Sequence, residues 1–347
     1  MRDDGVMDDW YSSPRARSWT VPAEPRSVID FHAGLPGYAP TPLVDLPSLA
    51  DGLAVGRVLV KDESSRLGLP AFKVLGASWA CAQVLRRQPG ARMVTATDGN
   101  HGRAVARMAA YFGVEATVFV PTVMLELTAA LIASEGAEVV RVDGDYDATV
   151  RAASAHAAAA AGRALVQDTA WEGYTDVPAW IVEGYQTLLQ EVDDELGAPP
   201  DLIAVPVGVG SLAEAVVRHY RREGRARPSV LSVEPDTAAC VLASLRAGTP
   251  VSVDTAATVM AGLNCGTVSS TAWPVLREGC DAAVAVTDRD ALRAVDELEA
   301  LGISSGPCGA ATLAGVRAAL ARPDRREALG LTDASVVVLL STEGNLR

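Results

Sequence analysis

From residue 93 onward the chain repeats one unit, a short apolar strand followed by a helix, and no other feature constrains the fold as much. The pattern predicts strands at 93–97, 116–120, 138–142 and 165–167, with helices at 102–112, 122–135 and 147–161 between them. A second set follows, with helices at 178–195, 211–224, 237–246, 288–301 and 309–320 and strands at 202–207, 230–233, 283–286 and 335–340. Strands alternating with helices of this length argue for parallel sheets covered on both faces, an α/β fold. Upstream, a strand at 57–61 leads through a loop into a helix at 71–87, which Pro89-Gly90 ends. The prolines of YAPTPL, residues 38–43, exclude a helix interior there. Residues 1–27 read as a loose polar lead-in, and 246–282 as an irregular segment near a site or an interface.

A chain of 347 residues is long enough for two domains, or for one unusually large one. A formal charge of -13, with no basic cluster, argues against nucleic acid or an anionic membrane as a partner. The acidic N-terminus lacks the apolar core of a secretory signal, and no apolar run reaches transmembrane length, so a cytoplasmic location is expected. Five scattered cysteines without a CxxC pair, and four histidines, give no reason to expect a metal centre or a disulfide scaffold. Cys265 and Cys280 share the irregular segment, but free buried thiols are the expected state.

Three stretches carry chemistry. In PVGVGSLAEA, residues 206–215, an apolar strand runs through Gly208, Val209 and Gly210 into a helix that opens at Ser211 and Leu212. Such a turn can converge backbone N–H groups on an anion, with Ser211 as the cap; an ordinary strand-helix turn is the alternative. The spacing is that of neither a P-loop nor a dinucleotide fingerprint, which favours a compact phosphorylated cofactor. TATDGNHGRA, residues 95–104, is a second strand-to-helix loop, explained either by turn chemistry or by ligand binding at the carboxyl ends of parallel strands. One such loop in each half of the chain suggests a cleft between domains. The third is LPAFKVLGAS, holding Lys73, one of only two lysines in the chain; the other is Lys61. Lys73 is either a snorkelling surface residue or, if desolvated, an amine of lowered pKa able to form a Schiff base with an aldehyde. Anion cradle and lysine together point to pyridoxal 5'-phosphate.

AFKVLGA, DGNHG, GVGSLA and the terminal LLSTEGN resemble the fold-type II pyridoxal-phosphate enzymes. KDESSRLGLPAFKVLG, TATDGNHGRAVA, QDTAWEGY and TVMAGLNCG are most similar to the diaminopropionate ammonia-lyase branch, over residues 35–345. The resemblance implies two parallel-sheet domains with the cofactor cleft between them. Residues 28–88 and 178–347 are expected to form a large cofactor-binding domain, and 89–177 a small inserted one. It implies that Lys73 binds pyridoxal 5'-phosphate covalently, that Asn100 meets the ring hydroxyl, and that Gly208, Val209, Gly210, Ser211 and Leu212 hold the phosphate. Ser341, or Thr342 in its place, would partner the pyridine nitrogen. Thr97, Asp98, Gly99, Asn100 and His101 would wrap the substrate carboxylate. Asp98 stands where hydroxy-amino-acid deaminases commonly carry serine. By resemblance, one of Asp98 and Asp168 acts on the α-proton of the D-isomer, and both help receive an aminated side chain. An Asx-turn for Asp98 and a turn or helix cap for Asp168 are the structural alternatives.

The implied reaction is α,β-elimination of 2,3-diaminopropionate to pyruvate and two ammonia, by a homodimer. The alternative is a threonine or serine dehydratase, or another lyase or β-replacement enzyme acting on a β-substituted amino acid. The chain departs from the branch at Leu67, at Pro70 and over residues 267–271.

Overall fold

The computed structural model describes residues 9–22, 27–97, 99–144, 146–224 and 227–345. It divides into two compact units, Met1–Glu24 with Thr41–Ser64 and Leu189–Arg347, and Pro25–Pro40 with Ser65–Leu188.

Among the described residues, the first unit is built on a seven-stranded sheet. Its order is Trp10–Ser12, Ala282–Val286, Ser229–Pro235, Leu202–Pro206, Val336–Ser341, Arg57–Asp62 and Leu43–Asp45. The five inner strands are parallel, and an antiparallel strand closes each edge. Leu202–Pro206 and Ser229–Pro235 are buried at every residue, as inner strands covered on both faces must be. Val58, Val60, Leu231, Val284, Leu313 and Val337 belong to the core that packs around them. Because these strands are parallel, Pro206, Pro235, Ser341 and Asp62 end at one edge of the sheet, where α/β proteins place ligands.

The second unit carries a four-stranded parallel sheet in the order Glu138–Val142, Ala116–Pro121, Arg92–Ala96 and Arg163–Leu165. Val94 pairs with Leu165, so the loops after these two strands emerge side by side. That adjacency brings His101 next to Asp168 of QDTAWEGY.

Three expectations are corrected. Residues 1–27 are not loose throughout, since Trp10–Ser12 joins the sheet beside Ala282–Val286 and Pro14–Ser18 forms a 3-10 helix. Trp10 packs on the core, and the Arg325 guanidinium lies 5.0 Å from its ring centroid. The segment 246–282 contains a helix, Ala272–Gly279, which buries Trp273, Val275 and Leu276. Residues 28–40, 65–88 and 178–188, expected in the large domain, pack in the second unit. The reason is the packing of helix Lys73–Arg87 on helix Asn100–Tyr111 of that unit, and of Gly184 so close to Lys73–Arg87 that a side chain there would overlap the Leu75 carbonyl.

Candidate active site

Lys73 is the first residue of helix Lys73–Arg87. The turn before it is rigid. Leu67 and Gly68 both have positive φ, 51° and 74°, and Arg66 and Leu69 exchange backbone hydrogen bonds of 2.8 and 2.9 Å across them. A leucine in that region costs about 1–2 kcal/mol, which the fully buried Arg66 helps offset by anchoring the turn. The result fixes the entry of the helix and aims Lys73.

The lysine Nζ donates to Asp168 Oδ2 at 2.6 Å, with side-chain exposures of 23% and 8%. Lys73 is thus ion-paired and mostly buried, where the sequence left a snorkelling surface residue and a desolvated amine as alternatives. Burial alone would raise the Asp168 pKa, but the charge of Lys73 and the hydrogen bond from it hold the carboxyl well below the usual range. The Asp168 carboxylate stays ionised beside the amine.

His101 is the third member. Its Nε2 lies 2.8 Å from the Val166 carbonyl, which only accepts, so Nε2 carries the hydrogen. Burial lowers its pKa, opposed by Asp168, which keeps the ring neutral. Its Nδ1 is then a lone pair, 3.9 Å from Asp168 Oδ2 and without a hydrogen-bond partner among the described residues. An anion and a lone pair facing one small volume favour an N–H donor or an ammonium between them.

Thr97 Oγ1 accepts from the backbone N–H groups of Gly99 at 2.9 Å and Gly102 at 3.0 Å, so it shapes the loop. Asn100 opens helix Asn100–Tyr111. Asp98 lies outside the described residues. Gln167, which the sequence did not single out, accepts from Thr95 Oγ1 and from the Ala96 N–H, and donates to the Tyr146 hydroxyl. Tyr174 accepts from the Gln167 N–H and donates to the Leu165 carbonyl. Together they clamp the backbone that presents Asp168.

The glycine loop belongs to the first unit. Gly210 has φ 99° and stands at the N-cap of helix Ser211–Tyr220. A Cβ there would lie 3.0 Å from Leu276 Cδ1; one on Gly208 would lie 3.0 Å from Cys265 Sγ. Ser211 is not the cap but the first helical residue, and no side chain caps this helix. The first-turn N–H groups of a helix have no intrahelical partner. Here they start from a glycine, at buried Ser211 and Leu212, a setting suited to an anion. The Val209 carbonyl accepts from the Ser269 N–H at 2.8 Å and pins the loop.

At the end of the neighbouring strand, buried Ser341 Oγ donates to Ser305 Oγ at 2.8 Å, with Thr342 also buried. Ser305 had no signal in the sequence beyond standing before Gly306-Pro307 at a helix start. Each unit holds groups of the kind pyridoxal phosphate needs: an anion cradle and a neutral partner for the ring nitrogen in the first, an amine that is only partly buried in the second. Lys61 does not qualify, being fully buried and held by Glu191 and the Thr41 carbonyl, each at 2.7 Å.

Gly210→Ala puts a Cβ on a left-handed residue against Leu276, and is expected to weaken cofactor binding by about tenfold or more. Equilibrium dialysis measures this, and an unchanged affinity contradicts the cradle.

Residues 35–343 match the model of the family described as pyridoxal-phosphate dependent enzymes. The chain belongs to this family. The diaminopropionate ammonia-lyase of Escherichia coli (strain K12) is 38% identical over 347 aligned residues, which cover 91% of this chain and 87% of that one. The crystal structure of the Escherichia coli enzyme in complex with D-serine superposes with a TM-score of 0.87 at 34% identity, covering 97% of this chain and 93% of that one. Its complex with an aminoacrylate-PLP azomethine reaction intermediate gives a TM-score of 0.85 at 36% identity over the same shares. The fold is that of the fold-type II pyridoxal-phosphate enzymes, with parallel-strand sheets as expected.

Proposed function

We propose that this enzyme eliminates the β-amino group of 2,3-diaminopropionate, giving pyruvate and two ammonia. The observation that carries this reading is the Lys73–Asp168–His101 cluster, in which a poorly solvated carboxylate stands 2.6 Å from the amine of the reactive lysine. A substrate whose leaving group is an ammonium needs such an anion; a hydroxyl leaving group does not. The likeness to the Escherichia coli lyase supports the same choice.

In this reading Gly208, Val209, Gly210, Ser211 and Leu212 hold the cofactor phosphate, and Asn100 meets the ring hydroxyl. Ser341 faces the pyridine nitrogen, with Thr342 as its substitute. When bound, pyridoxal phosphate supplies an electron sink for the α-carbon. The chain supplies the rest. The loop Thr97 to His101 grips the substrate carboxylate and orients the α-proton. Lys73 Nζ takes that proton from the L-isomer, and Asp98 from the D-isomer. Asp168, ionised throughout, receives the β-ammonium, and the His101 lone pair gives it a second acceptor. An uncharged hydroxyl at Ser341 leaves the ring nitrogen less protonated than an aspartate would, which suits elimination over transamination. A homodimer is proposed by analogy with the fold. A cytoplasmic location fits five cysteines that are all free thiols.

The test is the specificity constant on a substrate panel. Diaminopropionate is expected to exceed serine and threonine in kcat/KM by about a hundredfold or more, the worth of a buried charge pair. Threonine turning over as well as diaminopropionate contradicts the reading. Asp98→Asn is expected to cost the D-isomer about a hundredfold and the L-isomer far less, as removal of a general base does. Equal losses on both isomers refute that division of labour.

A further inference from the structure

Tyr185, on helix Asp176–Leu196, takes no part in the chemistry above. It is fully buried, and its ring packs on Phe72 with centroids 4.7 Å apart. Phe72 immediately precedes Lys73, whose Nζ lies 5.5 Å from the centroid of that same ring. On its other side the ring meets helix Lys73–Arg87 at Gly76, where a Cβ would stand 2.6 Å from Tyr185 Cε1. The ring is therefore held from two directions and its hydroxyl is placed by packing.

That hydroxyl is buried, and Lys73 is its side-chain hydrogen-bonding neighbour. A buried hydroxyl is costly unless it finds a partner, and a phenylalanine would fill the same space without that cost. Burial raises the Tyr185 pKa well above its usual range, so the group stays a neutral hydroxyl, and the charges that act on it are those of Lys73 and Asp168. With one donor and two acceptor positions, a hydroxyl can meet an amine in either protonation state.

The need for such a group follows from the reading given under Proposed function, on which this inference rests. Asp168 Oδ2 holds the Lys73 amine at 2.6 Å, and the same carboxylate is assigned the substrate's β-ammonium. Two cations on one carboxylate repel each other at short range. When the substrate occupies Asp168, Lys73 requires another partner. We propose that Tyr185 is that partner, a positioning residue whose hydroxyl accepts an N–H from the Lys73 amine and leaves the nitrogen lone pair for the α-proton.

Because Lys73 is one of two lysines, amine labelling resolves it by peptide mapping, with the fully buried Lys61 as internal reference. The experiment compares acylation of Lys73 by acetic anhydride in the cofactor-free full chain, in Asp168→Asn and in Asp168→Asn with Tyr185→Phe. Loss of the tyrosine hydroxyl in the Asp168→Asn background is expected to raise the Lys73 acylation rate about threefold or more, because a hydrogen-bonded amine is the less reactive one. In the loaded enzyme, Tyr185→Phe alone is expected to lower kcat about tenfold with KM for diaminopropionate nearly unchanged, the pattern of lost positioning. An unchanged acylation rate overturns the assignment, as does a Tyr185→Phe enzyme that gains thermal stability while keeping its kcat. Acylation involves no substrate, so it separates failure of this assignment from failure of the diaminopropionate reading.

Discussion

Lys73→Ala is expected to abolish turnover, by about ten-thousandfold or more, since in the proposed reading it removes both the covalent anchor of the cofactor and the base for the L-isomer. The visible absorption of the lysine-bound cofactor should vanish with it. The substitution also leaves the buried Asp168 carboxylate without its 2.6 Å ion-pair partner. Breaking a pair of this kind costs a few kcal/mol, about 2 here because Lys73 keeps partial contact with solvent. Lys73→Arg separates the two roles. It restores a cation beside Asp168, so most of the stability should return, while turnover should not. The stability gap between wild type and Lys73→Ala also has a defined pH dependence. The folded-state pKa of Asp168 is depressed, so the pair's contribution is complete above the unfolded carboxylate value, near 4, and is lost as pH falls below it. Thermal melts at pH 7 and about pH 3 measure this. A gap that fails to narrow in acid contradicts the ion pair, and retained turnover in Lys73→Ala contradicts the role of the lysine.

Asp168→Asn is the second large effect. The amide keeps the shape and one acceptor, but removes the charge that meets an ammonium. Losing one partner of a buried charge pair costs about 2–5 kcal/mol, so kcat/KM for diaminopropionate is expected to fall between roughly thirtyfold and several thousandfold. Serine, which brings no second ammonium, should lose only the part that reflects disturbance of Lys73, about tenfold. The contrast between the substrates is the informative quantity. Parallel losses on serine and diaminopropionate would mean that Asp168 serves Lys73 alone and does not recognise the second amine.

Much of this architecture was legible in the sequence because its signals are local. Strand Glu138–Val142 and helix Lys73–Arg87 lie within two residues of their predicted bounds, since each carries its own periodicity and its own breakers. Trp10–Ser12 was not legible. A three-residue edge strand has no pattern of its own, and the strand that defines it, Ala282–Val286, lies about 270 residues away in the chain. Helix Ala272–Gly279 was hidden by an internal proline, Pro274, and by the polar TVSST run before it. Among the candidate residues, Lys73, Asp168, Gly208 and Gly210 announced themselves through unusual residues in or beside glycine-containing turns. Ser305, Gln167 and Tyr185 did not, because what singles each of them out is a tertiary neighbour and not a sequence neighbour. His101 was legible as a loop residue, but the bond to Val166 that fixes its tautomer was not.

The central claim is that the leaving group is an amine. Product stoichiometry reads it directly. Purified, cofactor-loaded enzyme given limiting 2,3-diaminopropionate should release two ammonia for each pyruvate, one from the β-carbon and one from hydrolysis of the product. No pyruvate and no ammonia from diaminopropionate, by an enzyme that turns over serine, would contradict the account and make this chain a hydroxy-amino-acid eliminase.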